Sequence, residues 1–487
     1  MARARRGGRA PGGAFSRGRA VLARGAVRWM PWLLMAVALA MRAYRLAEYT
    51  VFQGDQGIDA LAARRLVVDH VWPLEGPATS AGGVHLGPLY YYLLAVPMAI
   101  GGFDPLLEAV LMVMLGTLAV GLVCWVGKTW FGDTAGLLGA ALYAVSPAAI
   151  VASRSAWNPA PAPFFLLLAL LGLARAHQTH HGRWLVLAGF GAGCLIQFHY
   201  FTLGIVIVCL VAVAFQLARH AGSVVLAGAV CVALLAPFTW HELQAGLPNV
   251  HAATALASSS PTAQDSVPRR VYAVLALGLV GGFLTAGIEP LAAISTLALV
   301  TGLTFRLVRQ RSYPHVLLAA LLGITLLQVV AYRGPIFEHY FVPLAPLLYL
   351  AVAGALSLVS MRVAVVVAVG LVALNLAYTP LREEPVQHLA RTERVASAIA
   401  DRANDEPFAL WLFSEGDKDG AYRYQLDRLG HPPARPDAPL PKRLFILCQQ
   451  EPCDIVRRQP AVGPDWATAT VAWQDTFYFV SIVELVR

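Results

Sequence analysis

Phe52-Gln53-Gly54-Asp55-Gln56-Gly57-Ile58-Asp59 is the stretch on which the reading of this chain turns. It follows the first membrane-length apolar segment, and with His85-Leu86-Gly87-Pro88-Leu89-Tyr90-Tyr91-Tyr92 it gathers two carboxylates, a histidine and three tyrosines into one polar loop, 46–104. Almost everything around that loop is hydrocarbon. Of 487 residues 57% are hydrophobic and 13% charged, with mean hydropathy +0.60, which excludes a water-soluble domain and defines a polytopic membrane protein. Chemistry is expected in the loop.

Apolar segments long enough for a hydrocarbon core of ~30 Å fall at 29–45, 105–127, 134–152, 159–175, 184–199, 201–218, 222–239, 288–306, 314–331, 340–358 and 363–379. Two further stretches, 87–102 and 271–286, are ambiguous: the first is short and broken by Pro97, the second runs through Gly281-Gly282 to Glu289. The count is therefore eleven to thirteen spans. No internal repeat at a fixed period is visible.

The net charge of +9 is concentrated at the N-terminus, where residues 1–28 hold eight arginines and no acid. Such a tail reads as a disordered cytoplasmic anchor under the positive-inside rule, not as a nucleic-acid arm. With the tail inside, loop 46–104 and everything after 379 lie outside when both ambiguous stretches span and when neither does. If 87–102 lies along the interface, Lys128, Arg175, Arg183 and Arg219 fall inside; if it spans, they fall outside.

From 380 the composition turns to charged residues and prolines, marking a domain boundary. Residues 380–487 read as a small external α/β domain, with helices at 385–403 and 417–429 and strands at 408–413, 443–448, 468–473 and 477–484. Cys448 and Cys453 lie there without a zinc-ligand pattern, so a disulfide is the expectation in an oxidising compartment. Cys124, Cys194, Cys209 and Cys231 lie in apolar segments as small core residues.

Asp55 and Asp59 are one helical turn apart, with Asp55 at or near the N-cap of a helix starting here and Asp59 a solvated first-turn acid. The glycines flanking Asp55 allow another molecule close to the backbone, and Asp55 is the candidate for chemistry. His85, beside a Gly-Pro turn, is suited to bind a metal, to orient a phosphate or to bond a loop carbonyl. The tyrosines, Tyr90 and Tyr91 among them, suit the membrane interface. Arg154 and Arg333 stand at segment ends, where arginines either snorkel or hold a phosphate bidentately.

These stretches resemble the GT-C superfamily of membrane glycosyltransferases that use polyprenyl-phosphate sugars, near the bacterial relatives of protein O-mannosyltransferases and the lipid A aminoarabinose transferase. The resemblance rests on Asp55, on His85 through Tyr92, on Gly132 to Arg154 with Ser146-Pro147, and on Glu338-His339-Tyr340-Phe341-Val342-Pro343. It covers residues 29–380 in layout and nothing of the C-terminal domain. The chain departs from the family pattern at Gln56, where an acid is common, and at Leu86-Gly87 before Pro88.

The resemblance implies a GT-C domain over 29–379 in a bacterial-type plasma membrane, with Arg154 outside and 87–102 on the interface. It implies an inverting sugar transfer from a polyprenyl-phosphate donor to a protein, lipid or glycan acceptor on the external face. Asp55 would act as general base, and His85, Tyr90, Tyr91, Arg154, Asn158, Arg333, His339 and Tyr340 would contact donor or phosphate. A divalent metal is left open. The competing reading, a flippase for lipid-linked sugars, would call for internal repeats and midplane charges.

Overall fold

A computed structural model describes residues 13–80, 82–258, 267–332, 336–435, 438–449, 453, 462–466 and 468–487. It is a helical bundle with a small sheet domain seated on one end. Helix α1 (Gly13–Ala43) begins inside the basic segment, whose first twelve residues lie outside the described ones. Among the described residues, ten further helical segments build the bundle. They are Leu106–Phe131, Asp133–Val145, Ala162–Thr179, Arg183–Leu195, Leu203–Ala214, Leu217–Gln244, Glu289–Arg309, Tyr313–Ala331, Ala345–Leu356 and Met361–Ala377.

Their ends follow from local chemistry. Leu106–Phe131 starts after Pro105, has Glu108 in its first turn and Lys128 in its last, and stops at Gly132 in a positive-φ conformation. Its 26 residues, at 1.5 Å each, exceed ~30 Å of hydrocarbon. Ala162–Thr179 and Arg183–Leu195 pack as a hairpin so close that a Cβ at Gly172 would lie 2.7 Å from the Ala188 nitrogen. Small residues allow that approach where lipid supplies no hydrophobic drive between helices.

The two ambiguous stretches are settled by what their ends touch. The helix Leu89–Ile100 is 12 residues, ~18 Å long. His85 before it accepts a hydrogen bond from Tyr200, and Phe103 after it accepts one from Tyr424 of the sheet domain. Both ends thus lie on the sheet-domain side. Val267–Leu284 is long and apolar enough to span, and it contains the π-helical run Ala273–Gly281. Yet Tyr272 bonds Glu289 at the head of the next helix, and the Leu284 carbonyl accepts from Asn375 in the last turn of Met361–Ala377. It also starts and finishes on the sheet-domain side. Among the described residues eight helices, this one included, are long and apolar enough to cross a membrane.

The opposite end collects Lys128, Arg175, Arg183, Arg219, Arg306, Arg309, Arg311 and Arg362. The sheet domain contains α2 (His388–Ala403), β1 (Phe408–Phe413), α3 (Gly420–Arg428), β2 (Arg443–Cys448), β3 (Thr470–Phe477) and β4 (Val480–Val486). Strand order is β1-β2-β4-β3, with β1 and β2 parallel and the other pairs antiparallel. Val395 and Ile399 of α2 and Tyr422 and Leu426 of α3 join Phe445, Leu447, Val480 and Ile482 in its core. Cys448, the last residue of β2, is bonded to Cys453 with the Cα atoms 5.7 Å apart.

Candidate functional site

Residues 52–59 form the start of a helix, Gly54–Val68, and its cap is reciprocal. The Gln53 side chain takes the Gln56 N–H while the Gln56 side chain takes the Gln53 N–H. Gln56 is thereby a capping residue. Asp55 stands in the first turn, where the helix dipole favours a carboxylate.

The glycines beside Asp55 do admit a close neighbour, and that neighbour is the chain's own sheet domain. A Cβ at Gly57 would lie 2.2 Å from the Ala421 nitrogen, and one at Gly420 would lie 2.2 Å from the Gly54 carbonyl oxygen. Backbone meets backbone at this crossing. Asp417 accepts from the Gly54 N–H at 2.9 Å, Arg64 pairs with Asp427 at 2.6 Å, and Lys418 Nζ meets Asp55 Oδ1 at 2.8 Å. The Asp55 and Lys418 side chains are 56% and 63% exposed, so the pair contributes little to stability and opens at small cost.

Asp59 differs from its expected place as a solvated acid. It is 4% exposed and bonds the Tyr91 hydroxyl. Burial pushes its carboxyl well above the usual range, and the neighbouring Asp55 charge adds to the rise. Tyr90 is also buried, with no partner for its hydroxyl, and Glu108 lies fully buried nearby without a hydrogen bond. Glu108 carried no sequence signal beyond a first-turn acid.

His85 is held on three sides. Its N–H donates to Asn249 at 2.6 Å, its carbonyl accepts from Tyr200 and Asn249, and its Nδ1 is 3.5 Å from Glu75, which also lies 3.4 Å from His241. Tyr340 shares a 2.7 Å hydrogen bond with Ser80 and packs on His199, while the His339 ring lies 4.7 Å from Trp157. Asp55 is near enough to His339 for their charges to interact. The first loop thus joins Asp55, His85, His339 and Tyr340 at one end of the bundle.

Arg154 and Asn158 lie below that loop. Arg154 donates to the Tyr44 carbonyl at 2.5 Å, stands over the Tyr49 ring, and is held below its ordinary pKa by burial. Asn158 donates to the Phe198 carbonyl. Arg333 lies outside the described residues. The residues that sequence reasoning missed, Asp417 and Lys418, sit more than 360 positions from Asp55, and only the fold brings them in. Among the described residues no three His, Cys, Asp or Glu side chains form a group that could hold a metal ion.

The multi-pass bundle with a small sheet domain is a fold shared with a solved membrane protein, ArnT. Residues 85–241 match the dolichyl-phosphate-mannose-protein mannosyltransferase family. ArnT from Cupriavidus metallidurans, bound to undecaprenyl phosphate, is similar with TM-score 0.65 and 15% identity over 93% of this chain and 97% of that one. Its apo state gives 0.64 and 16% over 94% and 98%. The Archaeoglobus fulgidus oligosaccharyltransferase in complex with Zn and sulfate gives 0.50 and 13% over 83% and 61%. No curated protein matches the chain in sequence. The likeness to ArnT covers more than residues 29–380 could supply, so it reaches into the sheet domain, where none was expected.

Proposed function

We propose that this protein transfers a sugar from a polyprenyl-phosphate-linked donor to an acceptor on the external face of the membrane, with inversion. Asp55 is the general base. It takes the proton of the acceptor nucleophile as that atom bonds to the anomeric carbon, and the bond from that carbon to the phosphate oxygen breaks with its electrons. The polyprenyl phosphate leaves as an anion and needs no proton from the protein. One carboxylate therefore suffices.

The observation that carries this reading is the position of Asp55: a solvent-open carboxylate in the first turn of the loop helix, under the sheet domain, within a GT-C fold. Its pairing with Lys418 leaves a cation near the departing phosphate. We assign His85, Tyr90, Tyr91, Arg154, Asn158, Arg333, His339 and Tyr340 to donor contact or to the scaffold around it. ArnT was solved with undecaprenyl phosphate, and an equivalent donor is the natural one here. The acceptor is a protein, lipid or glycan.

The cations at the far end of the bundle support an orientation with that end in the cytoplasm, as the positive-inside rule has it. The N-terminal segment 1–28 is then cytoplasmic, the transferase domain spans 29–379, and the domain 380–487 is extracytoplasmic in a bacterial-type plasma membrane. Mass spectrometry of lipid that co-purifies with the protein tests the donor class. A bound polyprenyl phosphate, with labelled sugar leaving it on addition of membranes, is the expected result. Export of lipid-linked sugar without any cleavage of the sugar–phosphate bond would replace transfer by transport.

A further inference from the structure

A cleft of about 260 Å³ opens where the first loop meets the sheet domain, at Gln53. One wall is Gln53, the residue that caps the Asp55 helix; the others are His388 and Arg391 from α2, Ser414 and Asp417 from the turn after β1, and Gln449 after β2. Its size, just below the range of drug-sized pockets, suits one small ring. Its lining is strongly polar.

The polar groups are pre-arranged. Asp417 Oδ1 accepts from Gly54 and Lys418, and its Oδ2 accepts from Gln449, which also bonds Tyr422 and Ser414. Arg391 is 3% exposed, bonds Tyr422 and stands 4.6 Å from the Phe479 ring centre, yet its Nε–H has no partner. A buried donor left unpaired beside an open cleft calls for a ligand oxygen. His388 Nδ1 accepts from the Phe52 N–H, so a neutral ring presents Nε2–H as a second donor. Burial and Arg391 hold that ring neutral.

The charges decide the ligand class. One arginine faces the carboxylates Asp417 and Glu415, so the cleft has no excess cation for a phosphate or carboxylate. It does offer donors (Arg391, His388), acceptors (Asp417, Ser414) and the exposed face of Phe479. Vicinal hydroxyls need both kinds of partner, and sugar C–H faces pack on aromatic rings. We infer that this cleft binds a single sugar ring, held against Gln53, two residues before Asp55. The inference rests on the glycosyl-transfer reading for the origin of that sugar, acceptor or donor, and not for its binding.

The test uses the full-length protein in nanodiscs and saturation-transfer NMR with a panel of methyl pentopyranosides, hexopyranosides and amino sugars. At least one glycoside is expected to receive saturation, and to lose it in Arg391→Met and in Ser414→Leu. The second variant fills the cleft without touching the Arg391–Tyr422 contact. No saturation from any glycoside, or equal saturation in both variants, would overturn the inference. In steady-state transfer, a rise of about tenfold in acceptor KM alone assigns the ring to the acceptor; the same rise in donor KM alone assigns it to the donor. Both KM values unchanged in both variants would also overturn it. Saccharide binding without transfer from any polyprenyl-phosphate donor would remove the transferase reading and leave the cleft standing.

Discussion

Two glycine contacts in this molecule do different work. In the hairpin Ala162–Thr179/Arg183–Leu195, Gly172 meets Ala188 and Gly191 meets Ala169 with apolar neighbours on every side. Where the first loop meets α3, Gly54 and Gly57 meet Lys418 and Gly420 with similar closeness, but Arg64–Asp427, Gly54–Asp417 and Asp55–Lys418 surround the crossing. The first contact has only packing to hold it, because lipid rewards nothing else. The second is held by groups that exchange with water. One builds a rigid frame, and the other is a seam that can admit a substrate.

The sharpest way to break the comparison is to fill each crossing. We predict that Gly57→Val destabilises the domain–loop seam by about 1–3 kcal/mol, as overpacking does, and abolishes transfer while the bundle stays folded. Gly172→Val should impose a similar cost on the whole bundle and reduce insertion and yield. Limited proteolysis separates the two: cleavage near 380 in the first variant only. Loss of the bundle in both would mean that seam and frame are one unit.

The sidedness of the seam is tested next. An impermeant thiol reagent on intact cells should label Cys448 or Cys453 only after reduction; labelling without reductant would contradict the disulfide, and none after reduction would contradict an external domain.

A smaller effect is expected from Lys418→Met. The pair it forms with Asp55 is exposed, so stability should change by less than about 1 kcal/mol, while transfer falls several-fold through loss of the cation beside the departing phosphate. Unchanged activity in the variant would show the pair to be incidental.

The smallest effect is in pH. His388 is held down to about 4 by burial and by Arg391, against an ordinary value of 6.5. The folded state therefore binds fewer protons between those limits, and the seam loses stability as pH falls from 6.5 toward 4. Asp59 acts in the opposite sense, since its raised carboxyl pKa disfavours the folded state as pH rises above 3.8. Exchange of the Phe52 amide, corrected for its intrinsic rate, should accelerate below pH 6.5 in the wild type and not in His388→Asn. Identical profiles would remove His388 from the seam.

Hydropathy was enough to mark the long apolar helices of the bundle, and alternation marked β1 and β2 at their observed bounds. It could not say whether 87–102 or 271–286 crosses, because apolarity reports environment and not direction. The contacts that decide are Tyr424 with Phe103 and Asn375 with Leu284, 321 and 91 positions apart. Asp55 was legible as the exceptional acid between two glycines. Asp59 looked like any first-turn acid, since its burial depends on Tyr91 folding over it. Lys418 and Arg391 were invisible as site residues, for a charged side chain in a soluble-looking domain has no local mark of what it faces.

The central claim is that Asp55 removes the acceptor's proton. The direct measurement is single-turnover transfer of labelled sugar from polyprenyl phosphate by wild type and Asp55→Asn, with donor binding measured on the same samples. The account predicts a rate lower by roughly 10²–10⁴, with donor affinity and melting temperature retained. A rate within tenfold of wild type would contradict it.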